Sequence, residues 1–339
     1  MIRGLRTTAL ATALALGWAG AAGANDSTAE LATGGLVLTK TTAIEMKSED
    51  LYISTKQVRV KYQFLNTTSQ DVTVTVAFPM PDITTEGMDD NIAVPTQNPT
   101  NILGFTVMVD GKPVVAQVEQ KVVKDGVDRT AYLKSIGAPL DPYLQSTGPA
   151  LDKLPKATRD NLVKLGLAFV AQYGDSDTTM QDHWQPTWTL KTTYYWKQTF
   201  PAGKILNVEH QYTPSVGSSA GTRWGSKEFP SDPGYAAQKA KYCVDDDFIA
   251  SVKKRTPAGQ DYSPMYEQRI DYILKSGANW KSPIGDFKMT IDKGDPALLV
   301  SFCGTGVKKI GPTQFQVHYT NFTPTQDVAV LLVGMPTPG

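Results

Sequence analysis

Cysteine is nearly absent from this chain: its 339 residues include two, Cys243 and Cys303. That excludes a thiolate zinc cage and a disulfide-dense miniature scaffold, both of which need more sulfur. Histidine is almost as scarce, at three residues: His183, His210 and His318. No two stand at the H-x-x-x-H spacing of a helix-borne metal pair. An excess charge of either sign is missing too, with 33 basic against 33 acidic residues. Without a basic stripe there is no electrostatic footprint for nucleic acid. Long apolar runs are missing beyond residue 24. The nearest, Ala329 to Met335, is strand-sized rather than membrane-spanning. No cofactor motif stands out, so neither catalytic, cofactor-binding nor metal-binding residues are assigned.

What is present begins with an export signal. Met1 to Ala24 has a basic start (Arg3, Arg6), an apolar run from Ala9 to Trp18, and small residues Ala22-Gly-Ala24. That is the pattern of a cleavable signal peptide. The run is ten residues long, against the roughly 20 needed to cross a bilayer. The expectation is export to the periplasm or cell surface, with no transmembrane segment in the mature chain. In that compartment two cysteines read as one structural disulfide, Cys243–Cys303. On the chain-entropy model it stabilises the fold by about 4 kcal/mol. A redox pair is the alternative, but such pairs usually stand as Cys-x-x-Cys.

The remainder is strand-rich. Between Gln57 and Leu65, Val58, Val60, Tyr62 and Phe64 alternate with Arg59, Lys61 and Gln63. That is a half-buried strand. After a turn at Asn66–Gln70, Val72, Val74, Val76 and Phe78 resume the period of two, until proline ends it. Asp110-Gly111 predicts a hairpin between Gly104–Val109 and Lys112–Val123. Helices are expected over Arg129–Ile136 and Lys156–Val170, with prolines breaking the stretch between them. Thr187–Phe200 and Ile205–Thr213 read as strands paired across Pro201–Lys204. Asp245 to Asp247 suit the start of a helix over Asp246–Lys254. Further strands are expected at 287–291, 297–303, 314–320 and 327–333.

The expected fold is mainly β: two antiparallel β-sandwich-like portions with a helical insertion in the middle. The expected divisions are 1–24 signal peptide, 25–128 N-terminal portion, 129–183 insertion, and 184–339 C-terminal β-rich portion with one short helix. One echo links the portions. Val60–Asn66 followed by Gln70-Asp-Val-Thr-Val74 is repeated in outline by Val317–Asn321 followed by Gln326-Asp-Val-Ala-Val330. It is read as two similar β-hairpins, arising by chance or by duplication.

Several strings resemble an exported bacterial family known as domain of unknown function 4424. They are Asn25-Asp-Ser-Thr-Ala-Glu-Leu31, Gly34-Gly-Leu-Val-Leu38, Ser48-Glu-Asp-Leu-Tyr-Ile-Ser54 and Val74-Thr-Val-Ala-Phe-Pro-Met-Pro-Asp82. Tyr194–Gly203 and His210–Gly217 continue the likeness over nearly all of the mature chain. It implies no activity, substrate or site residue. Residues 35–135 also resemble, more faintly, the VIT module of inter-α-trypsin type, through Asn66, Phe78-Pro-Met-Pro81, Gly111-Lys112 and Tyr132. Met80 stands where leucine is usual. This second likeness implies a β-sandwich scaffold and no chemistry.

The chemistry is sparse. His210 shares a strand face with Val208 and Tyr212 and is expected to be half-buried, while His318 is expected in solvent. His183 lies in a loop-like context, Asp182-His-Trp184. An exported hydrolase would need His183 near Asp175, Asp177 or Asp182 in an open cleft. Gly217-Ser-Ser-Ala-Gly221 lacks the lysine of a phosphate loop and reads as a flexible connection. Aromatics are the most suggestive feature: Trp184, Trp188, Tyr194, Tyr195, Trp196, Tyr212 and Trp224 fall within 41 residues. Trp184, Trp188, Trp196 and Trp224 are the candidate binding surface, with core packing as the alternative. The function expected is a non-enzymatic ligand- or partner-binding envelope protein, its partner an envelope protein or a saccharide. A purely structural or assembly module is the alternative, and an exported hydrolase a weaker one.

Overall fold

A computed structural model describes residues 26–32, 35–85, 91–174, 176, 179–260 and 263–336. The expected signal at 1–24 lies outside them, as do Asp175 and Asp177. One long sheet organises the molecule. Its eight strands run in the order Lys308–Lys309, Gln314–Phe322, Ile284–Asp292, Ile44–Ile53, Val58–Asn66, Ile205–Tyr212, Thr106–Val109 and Lys112–Val114. Neighbours are antiparallel except Ile284–Asp292 and Ile44–Ile53, which are parallel. One face is polar: Glu209, Lys61, Asp50, Lys288 and His318 stand side by side across five strands. Alternation therefore sends Val58, Val60, Tyr62 and Phe64 to the other face, where all four are buried.

Two smaller sheets meet that apolar face. The first orders Val127–Asp128, Gln117–Lys124, Thr189–Phe200, Val72–Pro79, Ser27–Ala32 and Gly35–Thr39, with Ile83–Thr84 also on Thr189–Phe200. The second orders Leu299–Phe302, Val328–Gly334, Tyr266–Tyr272, Val216–Ser219 and Asn91–Ala93. Phe78 and Trp196 of the first, Ile270 and Val330 of the second, and Phe64 and Met289 of the long sheet join one core. Two sandwich-like portions thus share a single long sheet. Val328–Gly334 is buried at every position. Val328, Val330 and Leu332 face the shared core, while Ala329, Leu331 and Val333 pack with Tyr242, Phe248 and Val252 of the Tyr235–Arg255 helical region. A strand covered on both faces reads as an unbroken apolar run.

The helical insertion interrupts the first sandwich. Helices Thr130–Ser135, Thr147–Asp152 and Lys156–Lys164, with the hairpin Ala168–Tyr173 and Gln181–Pro186, surround Leu133, Leu151, Leu162 and Trp188. Thr189–Phe200 then rejoins the sheet carrying Val72–Pro79. Strands on both sides of residue 184 therefore pair with one another.

Four local expectations need correction. The helix expected over Lys156–Val170 stops at Lys164, because Gly166 takes φ +66 and Leu167 N–H closes on Leu162 O at 2.8 Å. Glycine adopts that left-handed conformation without a Cβ clash. Ala168 then opens a strand. The strand expected over Lys112–Val123 is two strands in two sheets, and the chain turns over at Val115, which is 93% exposed. The loop expected over Gly87–Thr100 includes the short strand Asn91–Ala93. Finally, Thr189–Phe200 and Ile205–Tyr212 do not pair with each other, nor do Val58–Asn66 and Val72–Pro79. Each pair is an arch, one strand in the long sheet and the other in the sheet facing it. Gln314–Phe322 and Val328–Gly334 form a third such arch, and Tyr266–Tyr272 and Ile284–Asp292 a fourth.

Candidate functional site

Two pairs of arches lie along the long sheet, and their registers correspond. In the first pair Phe200 stands opposite Val72, and Asp71 Oδ1 accepts Ala202 N–H at 2.8 Å. In the second, Tyr272 stands opposite Val328, and Asp327 Oδ1 accepts Leu274 and Lys275 N–H at 3.0 Å each. The sequence echo is thus an echo of arches rather than of hairpins.

The first pair is sealed. Asn66 is fully buried, and its Nδ2 donates to Gln70 O and Phe200 O, both at 2.8 Å. One side chain thereby holds both arches. Phe64 is covered by Trp280 at 4.4 Å and Phe200 at 5.8 Å between ring centroids. The second pair is open. Asn321 is exposed at φ +52, and neither its amide nor that of Gln326 has a hydrogen-bond partner among the described residues. Between the arches lies a cleft of about 540 Å³, within the range of small-molecule sites. Phe287, Tyr319 and Phe322 form its aromatic wall, with centroids 4.7 to 6.1 Å apart. Leu274, Val328, Cys243 and Cys303 also line it. Those cysteines are bonded, with Cα atoms 5.0 Å apart. Tyr319 is fixed by its hydroxyl, which accepts Thr305 N–H at 2.8 Å and lies 3.0 Å from Thr305 O.

A second cluster is buried where the two cover sheets meet. His210, expected to be half-buried, is fully buried and lies against Tyr62, Phe78, Phe105 and Trp196. Its Nε2 is 2.9 Å from Asp26 Oδ1. Trp280 Nε1–H donates to the Asp26 carbonyl at 2.6 Å. Close by, the Tyr62 and Tyr272 hydroxyls are 3.2 Å apart, and Tyr272 reaches Glu49 Oε1 at 3.5 Å. Burial raises the Asp26 carboxyl above its ordinary range, and His210 opposes that rise. Burial also pushes both tyrosines well up, reinforced by the nearby Glu49 carboxylate. Asp26, Glu49, Tyr62, His210 and Tyr272 are all buried. Sequence reading passed over Glu49, although its parity with Leu51 and Ile53 puts it on the buried face.

The other histidines each pair with an aspartate. His318 Nε2 meets Asp286 Oδ2 at 2.8 Å on the polar sheet face, as exposed as expected. His183 lies in a strand rather than a loop, its Nδ1 2.8 Å from Asp152 Oδ2 and its ring stacked on Tyr173 at 3.8 Å. An imidazole anchored in this way suits a general base, but His183 does not line the arch cleft. Asp182 bonds to Gln172 instead. Gly217–Gly221 does spell Gly-x-Ser-x-Gly around Ser219, a spacing the loop reading passes over. Ser219 ends the strand Val216–Ser219, and its Oγ donates to Gly221 O at 3.0 Å. No helix follows directly, so the strand–turn–helix of a nucleophile elbow is missing there. Among the described residues no group of three or more His, Cys, Asp or Glu could hold a metal ion, and no helix is long and apolar enough to cross a membrane.

The four tryptophans named as a candidate surface are buried instead: Trp184 at 8%, Trp188 at 1%, Trp196 at 4% and Trp224 at 2% exposure. They fall in three separate clusters, Trp184 and Trp188 with the insertion, Trp196 in the shared core, and Trp224 beside Phe229. Large apolar rings do more for folding when withdrawn from water, and each sheet and helix layer here needs a filler.

Residues 24–331 match the family model described as Domain of unknown function (DUF4424). No curated protein matches the chain. Among solved structures, a Legionella pneumophila protein described as a candidate nutrient binding protein is similar at TM-score 0.44 and 16% identity. That likeness covers 91% of this chain and 70% of the other.

Proposed function

The chain belongs to the DUF4424 family, which is defined without an activity, and from that premise we propose that it is an exported, non-enzymatic protein that binds a small molecule in the cleft of the second arch pair. The observation that carries this reading is the contrast between two arch pairs of matching register. One is filled by protein side chains. The other leaves Tyr319 and Phe322 half-buried beside amides that have no partner among the described residues. A cleft that is apolar on its walls and polar on its rim is the ordinary form of a small-molecule site. Export is supported by the basic, apolar and small-residue succession in residues 1–24 and by a disulfide, which suits an oxidising compartment. The VIT-type likeness of residues 35–135 enters only as a likeness of scaffold.

The test is native mass spectrometry of the mature protein purified from its own host's envelope. A reproducible extra mass of a few hundred daltons is expected, lost in Tyr319→Ala and Phe322→Ala variants that still fold. A bare wild-type chain would overturn the reading and favour a structural or assembly module. An extra mass retained in both variants would place the ligand elsewhere.

A further inference from the structure

We infer that the cleft takes a neutral, planar aromatic ring with a hydrogen-bond donor on its edge, a molecule of the indole class. This rests on the binding reading above. The first arch pair shows what such a space accepts. Phe64 stands two residues before Asn66, as Tyr319 stands two before Asn321. The Trp280 indole packs against Phe64 with ring centroids 4.4 Å apart and planes tilted by 43°, and its Nε1–H is satisfied by the Asp26 carbonyl at 2.6 Å. Trp280 is supplied by the neighbouring arch, since it lies between Tyr266–Tyr272 and Ile284–Asp292. The second pair stands near the end of the long sheet, and among the described residues Lys308–Lys309 alone lies beyond it, so no arch of the described chain supplies a ring there. Among the described residues, Tyr319 has ring contacts only with Phe287 and Phe322 of its own sheet.

Charge argues for neutrality. Among the described residues, Asp327 is the one charged residue lining the cleft. Its carboxylate is already engaged by two backbone N–H groups and by Lys275 at 3.4 Å. An anionic ligand would meet a carboxylate, and a cationic one would have to displace Lys275. The amide oxygens of Asn321 and Gln326 offer acceptors for an edge N–H or O–H, the role that the Asp26 carbonyl performs for Trp280. Ring-on-ring contact favours aromatic planarity, because offset stacking adds to simple burial.

Indole itself is the probe. Saturation-transfer NMR on the full mature protein should show indole bound, with maltose giving no signal as the non-aromatic comparison. Phe322→Ala should weaken indole by roughly tenfold, the loss expected of one stacked ring. Gln326→Trp alters an exposed rim residue, and the new side chain should fill the cleft and abolish binding without disturbing the fold. Binding of maltose rather than indole would overturn the ring class. So would a native ligand mass, sensitive to Tyr319→Ala, with no indole binding; that result leaves the cleft reading standing. No indole binding together with a bare native chain overturns both. Indole binding unchanged by Gln326→Trp would place the ring outside this cleft and overturn the inference.

Discussion

Truncating Asp26 to alanine removes the hydrogen-bond partner of a fully buried histidine. His210 Nε2 then faces four aromatic rings with no partner at the 2.9 Å position. Breaking one half of a buried pair costs about 3–5 kcal/mol, most of it the orphaned group. Asp26→Asn keeps an acceptor oxygen in place and should cost only about 1 kcal/mol, the scale of one hydrogen bond. Adding His210→Phe to Asp26→Ala should recover much of the loss, since apolar replacements of buried pairs are often neutral. Urea unfolding of the wild type, Asp26→Ala, His210→Phe and the double variant completes the cycle, with Asp26→Asn measured beside them. The pH dependence adds an independent sign. Burial raises the folded-state carboxyl above its unfolded value of about 3.9. The folded state therefore holds the proton more tightly. The Asp26 contribution is fully present below the unfolded value and is lost as pH rises through the raised folded one. Wild-type stability relative to Asp26→Asn should fall across that window. A difference that grows with pH there would refute the reasoning, because it would mean that the attraction of His210 outweighs desolvation.

Three further outcomes are expected. Replacing both Cys243 and Cys303 by serine opens a loop of 60 residues and should cost about 4 kcal/mol in urea unfolding under oxidising conditions. Asn66→Ala should cost about 2 kcal/mol or more, because Phe200 O loses its side-chain donor and Thr68 N–H loses its acceptor, whereas Asn321→Gly should leave the stability within about 0.5 kcal/mol of wild type. Asp245 Oδ1 accepts Phe248 N–H at 2.7 Å at the start of Asp246–Arg255, so Asp245→Ala should cost about 1 kcal/mol by thermal unfolding.

Much of the strand content was legible because alternation is a local signal. Val58–Asn66 and Thr189–Phe200 carry it plainly. Which sheet each strand joins was not legible, because an arch and a hairpin share the same run, turn and run. Only the long-range partner distinguishes them, as Asn66 does by reaching Phe200 O. The helix at Asp246 announced itself through its acidic cap, while the one at Lys156 was overrun because Leu165, Ala168 and Phe169 continue a helical spacing beyond Gly166. The aromatic wall of the cleft was written into the echo at Val317–Asn321. Burial takes in Trp184, Trp188, Trp196 and Trp224, because a tryptophan-rich run has the same composition in a core as on a binding face.

The parallel join between Ile44–Ile53 and Ile284–Asp292 has a consequence for how the chain reaches its fold. Tyr52 and Asp292 are 240 residues apart in sequence yet hydrogen bonded at 2.9 Å. Pairings of such high contact order close late, since a long loop must lose its freedom before the contact forms. Until residue 292 is available, Ile44–Ile53 offers an unpaired edge along the middle of the future sheet, open to other chains. Two sandwiches can therefore assemble on either side, but the long sheet that joins them is not complete until Ile284–Asp292 is present. The rate-limiting step of folding should be the stitching of one half to the other.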